Sequence, residues 1–115
     1  MTSNAVTTWA GTSFGSTTNV DRLACEFNLP YDVAYMAPIL YVADCNNARI
    51  VRVSFVSKSA SVLSSGLSYI FAVEAYRGKV FFARGGHRFL VIDVYSGKWI
   101  VFLGLAKSIF LLGTV

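Results

Sequence analysis

Residues 40–53 read LYVADCNNARIVRV, and this stretch decides the fold. Its two ends, Leu40–Ala43 and Ile50–Val53, follow the alternating pattern of strands that bury one face. Between them lie Asp44, Asn46 and Asn47, whose short polar side chains bond neighbouring backbone and tolerate left-handed φ/ψ angles. The stretch therefore predicts a β-hairpin.

A second hairpin is predicted about 40 residues further along the chain. Val80–Ala83 and Phe89–Val94 are again apolar runs, and they flank the turn Arg84-Gly85-Gly86-His87. Short strands that recur with this period are typical of the blades of a β-propeller. The sequence therefore predicts an all-β protein, a partial β-propeller with two four-stranded antiparallel blades and an extra N-terminal strand.

The first hairpin and the residues before it resemble an NHL repeat. The usual pattern of that family opens with F-x-x-P-x-G/D-hydrophobic-A and continues, after a few turn residues, with L-Y-V-A-D-x-x-N-x-R-I. The matching positions are Phe27, Pro30, Val33, Ala34, Leu40, Tyr41, Val42, Ala43, Asp44, Asn47, Arg49 and Ile50. The resemblance implies that residues 6–11 are the last strand of a preceding blade and that residues 28–65 form one blade.

The second repeat departs from the NHL pattern. Arg84 stands where the family has Asp, and Gly85-Gly86 replaces the Asn pair. Residues 67–104 are therefore expected to form a degenerate blade, followed by an apolar tail over residues 105–115. The predicted strands are Val6–Ala10, Tyr31–Tyr35, Leu40–Ala43, Ile50–Phe55, Ser59–Leu63, Ile70–Glu74, Lys79–Ala83, Phe89–Val94 and Lys98–Leu103.

The length of 115 residues is too short for a closed propeller, which takes roughly four to eight blades. Three arrangements are expected, favoured in this order: a part of a longer propeller, a protomer that closes a ring with copies of itself, or a small open sheet. The composition agrees with uncovered blade faces, because 55% hydrophobic residues and a mean hydropathy of +0.56 are high for a chain of this size.

The sequence predicts neither a transmembrane helix nor a signal peptide. The apolar run Trp99–Leu112 is interrupted by Gly104 and Lys107, and a spanning helix needs about 20 apolar residues. Met1–Val20 has no basic start and no apolar core of the kind that a signal peptide carries. No membrane partner is therefore expected, and the location is left open with the cytoplasm as the default.

The charge distribution suggests a second kind of partner. Residues 1–48 hold one Arg or Lys against four Asp and Glu, whereas residues 49–115 hold nine against two. Basic residues interleaved with aromatic ones can bind single-stranded RNA, although the same pattern fits a core of aromatic side chains with charges on the solvated face. DNA is not expected as a partner. The candidate partner or RNA contacts are Arg77, Lys79, Arg84, His87 and Arg88.

No catalytic, metal-binding or cofactor-binding constellation is recognisable. His87 is the single histidine, the carboxylates are dispersed, and Gly85-Gly86 lies in a hairpin, so neither a multi-histidine metal site nor a phosphate loop is expected. Cys25 and Cys45 are expected to be small buried or half-buried residues, and they would pair only in an oxidising compartment.

The polar turn of the first hairpin is expected to be structural. Asp44 should accept hydrogen bonds from the Asn46-Asn47 turn, and Arg49 should pack against Asp44 or against a neighbouring blade.

Since NHL propellers are mostly interaction platforms, the resemblance implies a non-catalytic interaction or scaffold module that presents loops to a protein partner. Two alternatives stay open. One is single-stranded RNA binding through the basic second blade. The other is a remnant of a propeller lyase or hydrolase, in which further blades would supply the catalytic residues.

Overall fold

The computed structural model describes residues 5–85, 88–96 and 99–101, and these residues form strands joined by turns. A short 3-10 turn, Cys45–Asn47, follows β5. The strands are β1 (Ser13–Phe14), β2 (Val20–Asp21), β3 (Glu26–Phe27), β4 (Pro30–Met36), β5 (Ile39–Asp44), β6 (Arg49–Ser54), β7 (Ser59–Ser65), β8 (Ile70–Tyr76), β9 (Lys79–Arg84), β10 (Arg88–Asp93) and β11 (Trp99–Val101).

The first sheet has five antiparallel strands in the order β2-β7-β6-β5-β4. Its centre is the predicted hairpin, in which β5 and β6 pair from Ile39 with Ser54 to Asp44 with Arg49. The apolar residues of β5 and β6 are buried on both faces, which explains their nearly continuous hydrophobic sequence. The strand at the far edge, β2, contributes only two residues.

The second sheet has four antiparallel strands in the order β11-β10-β9-β8, and it repeats the pairing of the first. Asp32 pairs with Ala43 after an irregularity in β4, and Ala72 pairs with Ala83 after an irregularity in β8. The correspondence extends to the turns, since Leu29 and Tyr69 both have positive φ angles, 54° and 55°. The two sheets are therefore structural repeats, related by a shift of about 40 residues.

The two sheets pack face to face around one hydrophobic core. The buried residues of this core are Ala34, Tyr41, Ala43, Ile50, Leu67, Ile70, Val73, Val80, Phe82 and Ile92. The edge strands β4 and β8 lie beside each other in the stack, and Asp32 Oδ2 accepts a 3.0 Å hydrogen bond from the Val73 amide. A carboxylate of one sheet thus binds the backbone of the other.

The N-terminal segment, residues 5–27, covers much of the face of the first sheet that is turned away from the second sheet. Trp9, Ala10, Val20 and Phe27 pack on a smaller buried cluster of Cys25, Val42, Val51, Val53 and Ala60. The prediction of a strand over residues 6–11 is wrong, because this stretch crosses the face without joining a ladder and Val6 is almost fully exposed. Its backbone hydrogen bonds go to other loops, such as the bond from the Gly11 amide to the Arg22 carbonyl at 2.8 Å.

The all-β prediction with antiparallel sheets is confirmed, and within the described residues neither sheet closes on itself. The fifth strand of the first sheet is β2 rather than residues 6–11, and a parallel pair of β1 and β3 lies between the predicted strands Val6–Ala10 and Tyr31–Tyr35, where no strand was predicted. Of the predicted strand Lys98–Leu103, Trp99–Val101 form β11, and its other residues lie outside the described part of the chain, as does the tail over residues 105–115.

Candidate functional site

The turn of the first hairpin is organised by the carboxylate of Asp44, which is fully buried. Its Oδ1 accepts a 2.8 Å hydrogen bond from the Asn28 amide. Its Oδ2 accepts bonds from Asn47 Nδ2 and from Arg49 Nε, both at 2.8 Å. Asn46 contributes through its backbone, since its amide donates to the Asn28 carbonyl at 3.0 Å. The carboxylate therefore fixes the turn and the start of β4 together.

Arg49 extends this network to the N-terminal segment. Its Nη1 donates to the Ser16 carbonyl at 2.8 Å and its Nη2 to the Glu26 carbonyl at 2.9 Å. Asn47 Nδ2 also donates to the Gly15 carbonyl at 2.8 Å. The polar groups of this buried pair are thus satisfied by backbone from another part of the chain, and the turn has a structural role.

On the solvent side of the N-terminal segment, the Glu26 side chain binds Ser13 and Thr17. Its carboxylate accepts hydrogen bonds from the Thr17 hydroxyl, the Thr17 amide and the Ser13 hydroxyl. The hydroxyl of Thr17 is the main cause that lowers the pKa of Glu26 below its usual value, because hydrogen bonds favour the charged carboxylate.

The second hairpin carries two arginines where the first carries the ion pair. Arg84 is opposite Arg88 across β9 and β10, just as Asp44 is opposite Arg49 across β5 and β6. Arg84 Nη2 donates to Ser68 Oγ at 3.3 Å, and Ser68 corresponds to Asn28 of the first repeat. Arg84 is half-buried and Arg88 is exposed. The arginine pair therefore lies at one end of the second sheet.

The other predicted basic contacts lie at the opposite end of that sheet. Arg77 belongs to the turn between β8 and β9, with its guanidinium 5.3 Å from the ring centre of Tyr76. Lys79 starts β9 opposite Asp93, whose pKa is lowered first by hydrogen bonds from the Ser96 and Tyr95 amides. Five strand steps, roughly 17 Å, separate Lys79 from Arg84. The structure therefore divides the predicted basic surface in two, and His87 lies outside the described residues.

The outer face of the second sheet, the face turned away from the first sheet, is apolar and partly exposed to solvent. A shallow hollow of about 160 Å³ on this sheet is lined by Ala72, Val73, Glu74, Phe81, Phe82, Ala83 and Phe89. Phe89 corresponds to Ile50 of the first repeat by strand pairing, yet Phe89 is 56% exposed and Ile50 is fully buried. The difference arises because Ile50 packs against the second sheet.

The edge strand β4 of the first sheet carries a second exposed apolar patch. Tyr31, Val33 and Tyr35 alternate along β4, and each is more than half exposed. Phe55 adds to the patch, since its ring contacts Tyr35 edge to face at 5.1 Å and stacks on Trp9 at 4.1 Å. Both sides of the stack therefore present aromatic and aliphatic side chains, on the first sheet along β4, which the N-terminal segment leaves exposed.

The two cysteines and Tyr41 are buried, and the described residues contain neither a metal-binding cluster nor a membrane-spanning helix. Cys25 and Cys45 are both buried and unpaired, and burial raises the pKa of the Cys25 thiol. Burial likewise raises the pKa of Tyr41 in the core between the sheets. Among the described residues, no group of three or more His, Cys, Asp or Glu side chains could hold a metal ion. That part of the chain also contains no helix of the length and apolarity needed to cross a membrane.

Sequence reasoning predicted uncovered blade faces but did not name the residues that line them. It weighed the aromatic residues of the second hairpin as a group, as core or as RNA contacts, without deciding which face of the sheet would be covered. The available signal was the spacing itself, because Phe81 and Phe89 correspond to the buried Tyr41 and Ile50 of the preceding repeat.

A comparison with protein-family models found no match, and a comparison with curated protein sequences found no match either.

Proposed function

We propose that the chain is a non-catalytic protein-interaction module of the propeller type, which binds a further β-sheet unit on the outer face of its second sheet. The observation that carries the proposal is the contrast between Ile50 and Phe89 at corresponding positions of the two repeats. Ile50 is covered by the neighbouring sheet, whereas Phe89 has the same place in its own sheet and is 56% exposed.

The sequence of the outer face supports a docking role. The positions Ala34, Tyr41, Ala43 and Ile50 of the first sheet face the second, and their counterparts are Glu74, Phe81, Ala83 and Phe89. Three of the four counterparts are apolar. Fully burying a large apolar side chain contributes about 1.5–3 kcal/mol, so a partner sheet seated on this face would gain from covering Phe89.

On the opposite side of the stack, the exposed strand β4, which the N-terminal segment leaves uncovered, supplies a surface of the matching kind. Val33 of the first sheet corresponds to Val73 of the second, which is buried against the first sheet in the observed stack. A second copy of this chain could therefore place Val33 where Val73 lies in the internal interface. Such a contact joins unlike faces, so repeated addition produces a ring if the rotation closes and a filament if it does not.

The division of the basic residues favours this function over RNA binding. Single-stranded RNA is bound along a continuous basic groove with stacking aromatics, whereas Arg77 and Lys79 lie at the opposite end of β9 from Arg84 and Arg88. The resemblance to NHL repeats agrees with an interaction role and adds the expectation that loops at the ends of the sheets also meet the partner.

Light scattering on a size-exclusion column, over a range of concentrations, tests the proposal. The wild-type chain of 12.6 kDa is expected to form discrete multimers, and Phe89→Ser is expected to shift the mass towards the monomer. Phe14→Ser is the matched control, because Phe14 is equally aromatic, 78% exposed and located in β1, outside the second sheet that carries Phe89. A folded monomer at all concentrations, or equal effects of the two substitutions, would contradict self-docking through this face.

A further inference from the structure

The arginine pair of the second hairpin, Arg84 and Arg88, occupies the place of a carboxylate and its arginine in the first. Asp44 and Arg49 are directly opposed on β5 and β6, and Arg84 and Arg88 are directly opposed on β9 and β10. The backbone around the two turns also corresponds, since the Cys45 amide donates to the Leu29 carbonyl and the Gly85 amide to the Tyr69 carbonyl. The second repeat therefore keeps the frame of the ion pair and lacks its anion.

The two arginines point to the same side of the second sheet. Arg84 alternates with Val80 and Phe82 along β9, both of which are buried against the first sheet. Arg88 alternates in the same way with Leu90 and Ile92 along β10. Both guanidinium groups therefore lie at the rim of the interface between the sheets, on the side where Ser68 bonds Arg84.

Arg84 has unused hydrogen-bonding capacity at this rim. Its Nη2 donates to Ser68 Oγ, but its Nε is shielded from solvent and has no hydrogen-bond acceptor within the described part of the chain. A donor that is buried without an acceptor is destabilising, which favours a side-chain position that brings Nε to an acceptor at the rim. The corresponding pair in the first repeat shows the group that satisfies such a donor, since Arg49 Nε binds Asp44 Oδ2 at 2.8 Å.

We infer that Arg84 and Arg88 form a binding site for a carboxylate supplied from outside the chain. Two arginines directly across a strand pair repel each other, and a carboxylate between them replaces this repulsion with charge-assisted hydrogen bonds. The source is an Asp or Glu side chain of a protein partner. This choice of source rests on the proposed function, whereas the site itself does not, because it faces away from the docking face that carries Phe89.

A carboxylate fits the site better than a nucleic-acid phosphate does. In the first repeat the arginine of the corresponding pair is met by the Asp44 carboxylate through Oδ2 and Nε. A carboxylate has the planar shape that an arginine fork matches. A nucleic-acid backbone would use a row of cations, and within the described residues Arg77 and Lys79 are too far along the sheet to continue a row from Arg84.

The test is an NMR titration of the full chain labelled with ¹⁵N at arginine, in which acetate replaces chloride at constant ionic strength. The Nε–Hε signal of Arg84, identified by its loss in Arg84→Lys, is expected to shift with saturation. Arg77→Lys is the matched control, since it removes a guanidinium from the other end of the sheet and should leave the Arg84 response unchanged.

Two variants keep the test independent of misfolding. Arg88→Lys should weaken acetate binding at least ten-fold while the Arg84 signal remains observable. Arg84→Asp should restore an Asp–Arg pair like that of the first repeat, preserve the amide spectrum and abolish the acetate response of the arginine signals. A capped Ala-Asp-Ala peptide should reproduce the effect of acetate, and its Ala-Asn-Ala analogue should not.

The same titration separates the outcomes that overturn the site. An Arg84 signal that responds to acetate no more than to chloride would show that no carboxylate site exists. Inorganic phosphate bound at least ten-fold tighter than acetate would replace the carboxylate by a phosphate ligand and favour nucleic acid as its source. Neither result would affect the mass change expected for Phe89→Ser, so the site and the docking face can fail separately.

Discussion

Asp44 and Arg49 face each other on adjacent strands and form a buried ion pair, with 2.8 Å between Asp44 Oδ2 and Arg49 Nε. The pair joins three parts of the chain: the hairpin itself, the start of β4 through the Asn28 amide, and the N-terminal segment through the Ser16 and Glu26 carbonyls. The first sheet and its cover are therefore held together at one polar centre.

Asp44→Asn is expected to destabilise the fold by about 3–5 kcal/mol, because it leaves the buried Arg49 without its counter-charge. Urea unfolding followed by circular dichroism measures the loss. Arg52→Met is the control, since Arg52 is exposed and bonds only Ser61 in the described part of the chain, so a change within about 0.5 kcal/mol is expected. Equal losses for the two variants would show that the ion pair has no special role.

Removing both charges tests whether the effect belongs to the pair. Asp44→Asn combined with Arg49→Met should cost less than the sum of the two single substitutions, because neither charge is then left alone in the interior. The coupling is read from the four unfolding free energies of the double-mutant cycle. Strict additivity would mean that each residue acts through other contacts.

Glu26 makes the stability of the N-terminal segment depend on pH. Its pKa in the folded chain lies below the ordinary value of 4.5, so the carboxylate contributes stability that is present above that value and is lost as the pH falls through the folded pKa. Glu26→Gln should therefore flatten the decline of stability below about pH 4.5. The comparison is made by urea unfolding at a series of pH values.

Thr17→Val provides the matching test of cause. It removes the hydroxyl that is the largest contribution to lowering the pKa of Glu26, so the pKa should rise towards the ordinary value. The pKa is measured from the carboxyl carbon of Glu26 by NMR. An unchanged value would assign the shift to groups other than Thr17.

Asp32 is expected to hold the two sheets in register. Asp32→Ala removes the acceptor of the Val73 amide and should cost about 1.5–3 kcal/mol, with faster hydrogen exchange at that amide. Glu74→Ala is the control, because Glu74 is exposed and accepts only from its neighbour Ala75 among the described contacts. If exchange at Val73 is the same in both variants, the link between the sheets lies elsewhere.

Ile50 and Phe89 should respond differently to truncation although they have the same place in their repeats. Ile50→Ala should cost about 2–5 kcal/mol because it opens a cavity between the sheets. Phe89→Ala should cost less than about 1 kcal/mol in the dilute chain, since its side chain is already half exposed. Thermal or urea unfolding at low concentration compares them. A cost for Phe89→Ala as large as that for Ile50→Ala would show that the outer face is already covered.

The sequence predicted the hairpins because their signals are local. The apolar runs around Asp44 and around Arg84 set the strands, and the turn residues between them set the ends of the strands. The hydrogen bonding of the polar turn was also predictable. Asp44 is an acceptor, and Asn47 and Arg49, which follow it closely in the sequence, are donors.

The cover of the first sheet was not predictable from local pattern. Residues 6–11 read as a strand, but the contacts that place them are long-range, since Trp9 stacks on Phe55, more than forty residues further along the chain. The separation of the basic contacts, in contrast, follows from the predicted strand Lys79–Ala83 alone. Arg77 and Arg84 are close in sequence, yet an extended strand places them at opposite ends of the sheet.

Disulfide cross-linking between copies tests whether the outer face of the second sheet receives β4 of the first sheet, the strand that the N-terminal segment leaves exposed. Ala72 and Val33 correspond to Asp32 and Val73, whose Oδ2 and amide are 3.0 Å apart in the internal interface. A mixture of Ala72→Cys and Val33→Cys chains should therefore form a disulfide-linked dimer. Ala72→Cys mixed with Ser57→Cys, a substitution in an exposed turn, is the control, and the unmodified chain measures any reaction of the buried Cys25 and Cys45. If copies dock in this way, cross-linking should be well above both controls. Cross-linking at the level of the controls would contradict the docking.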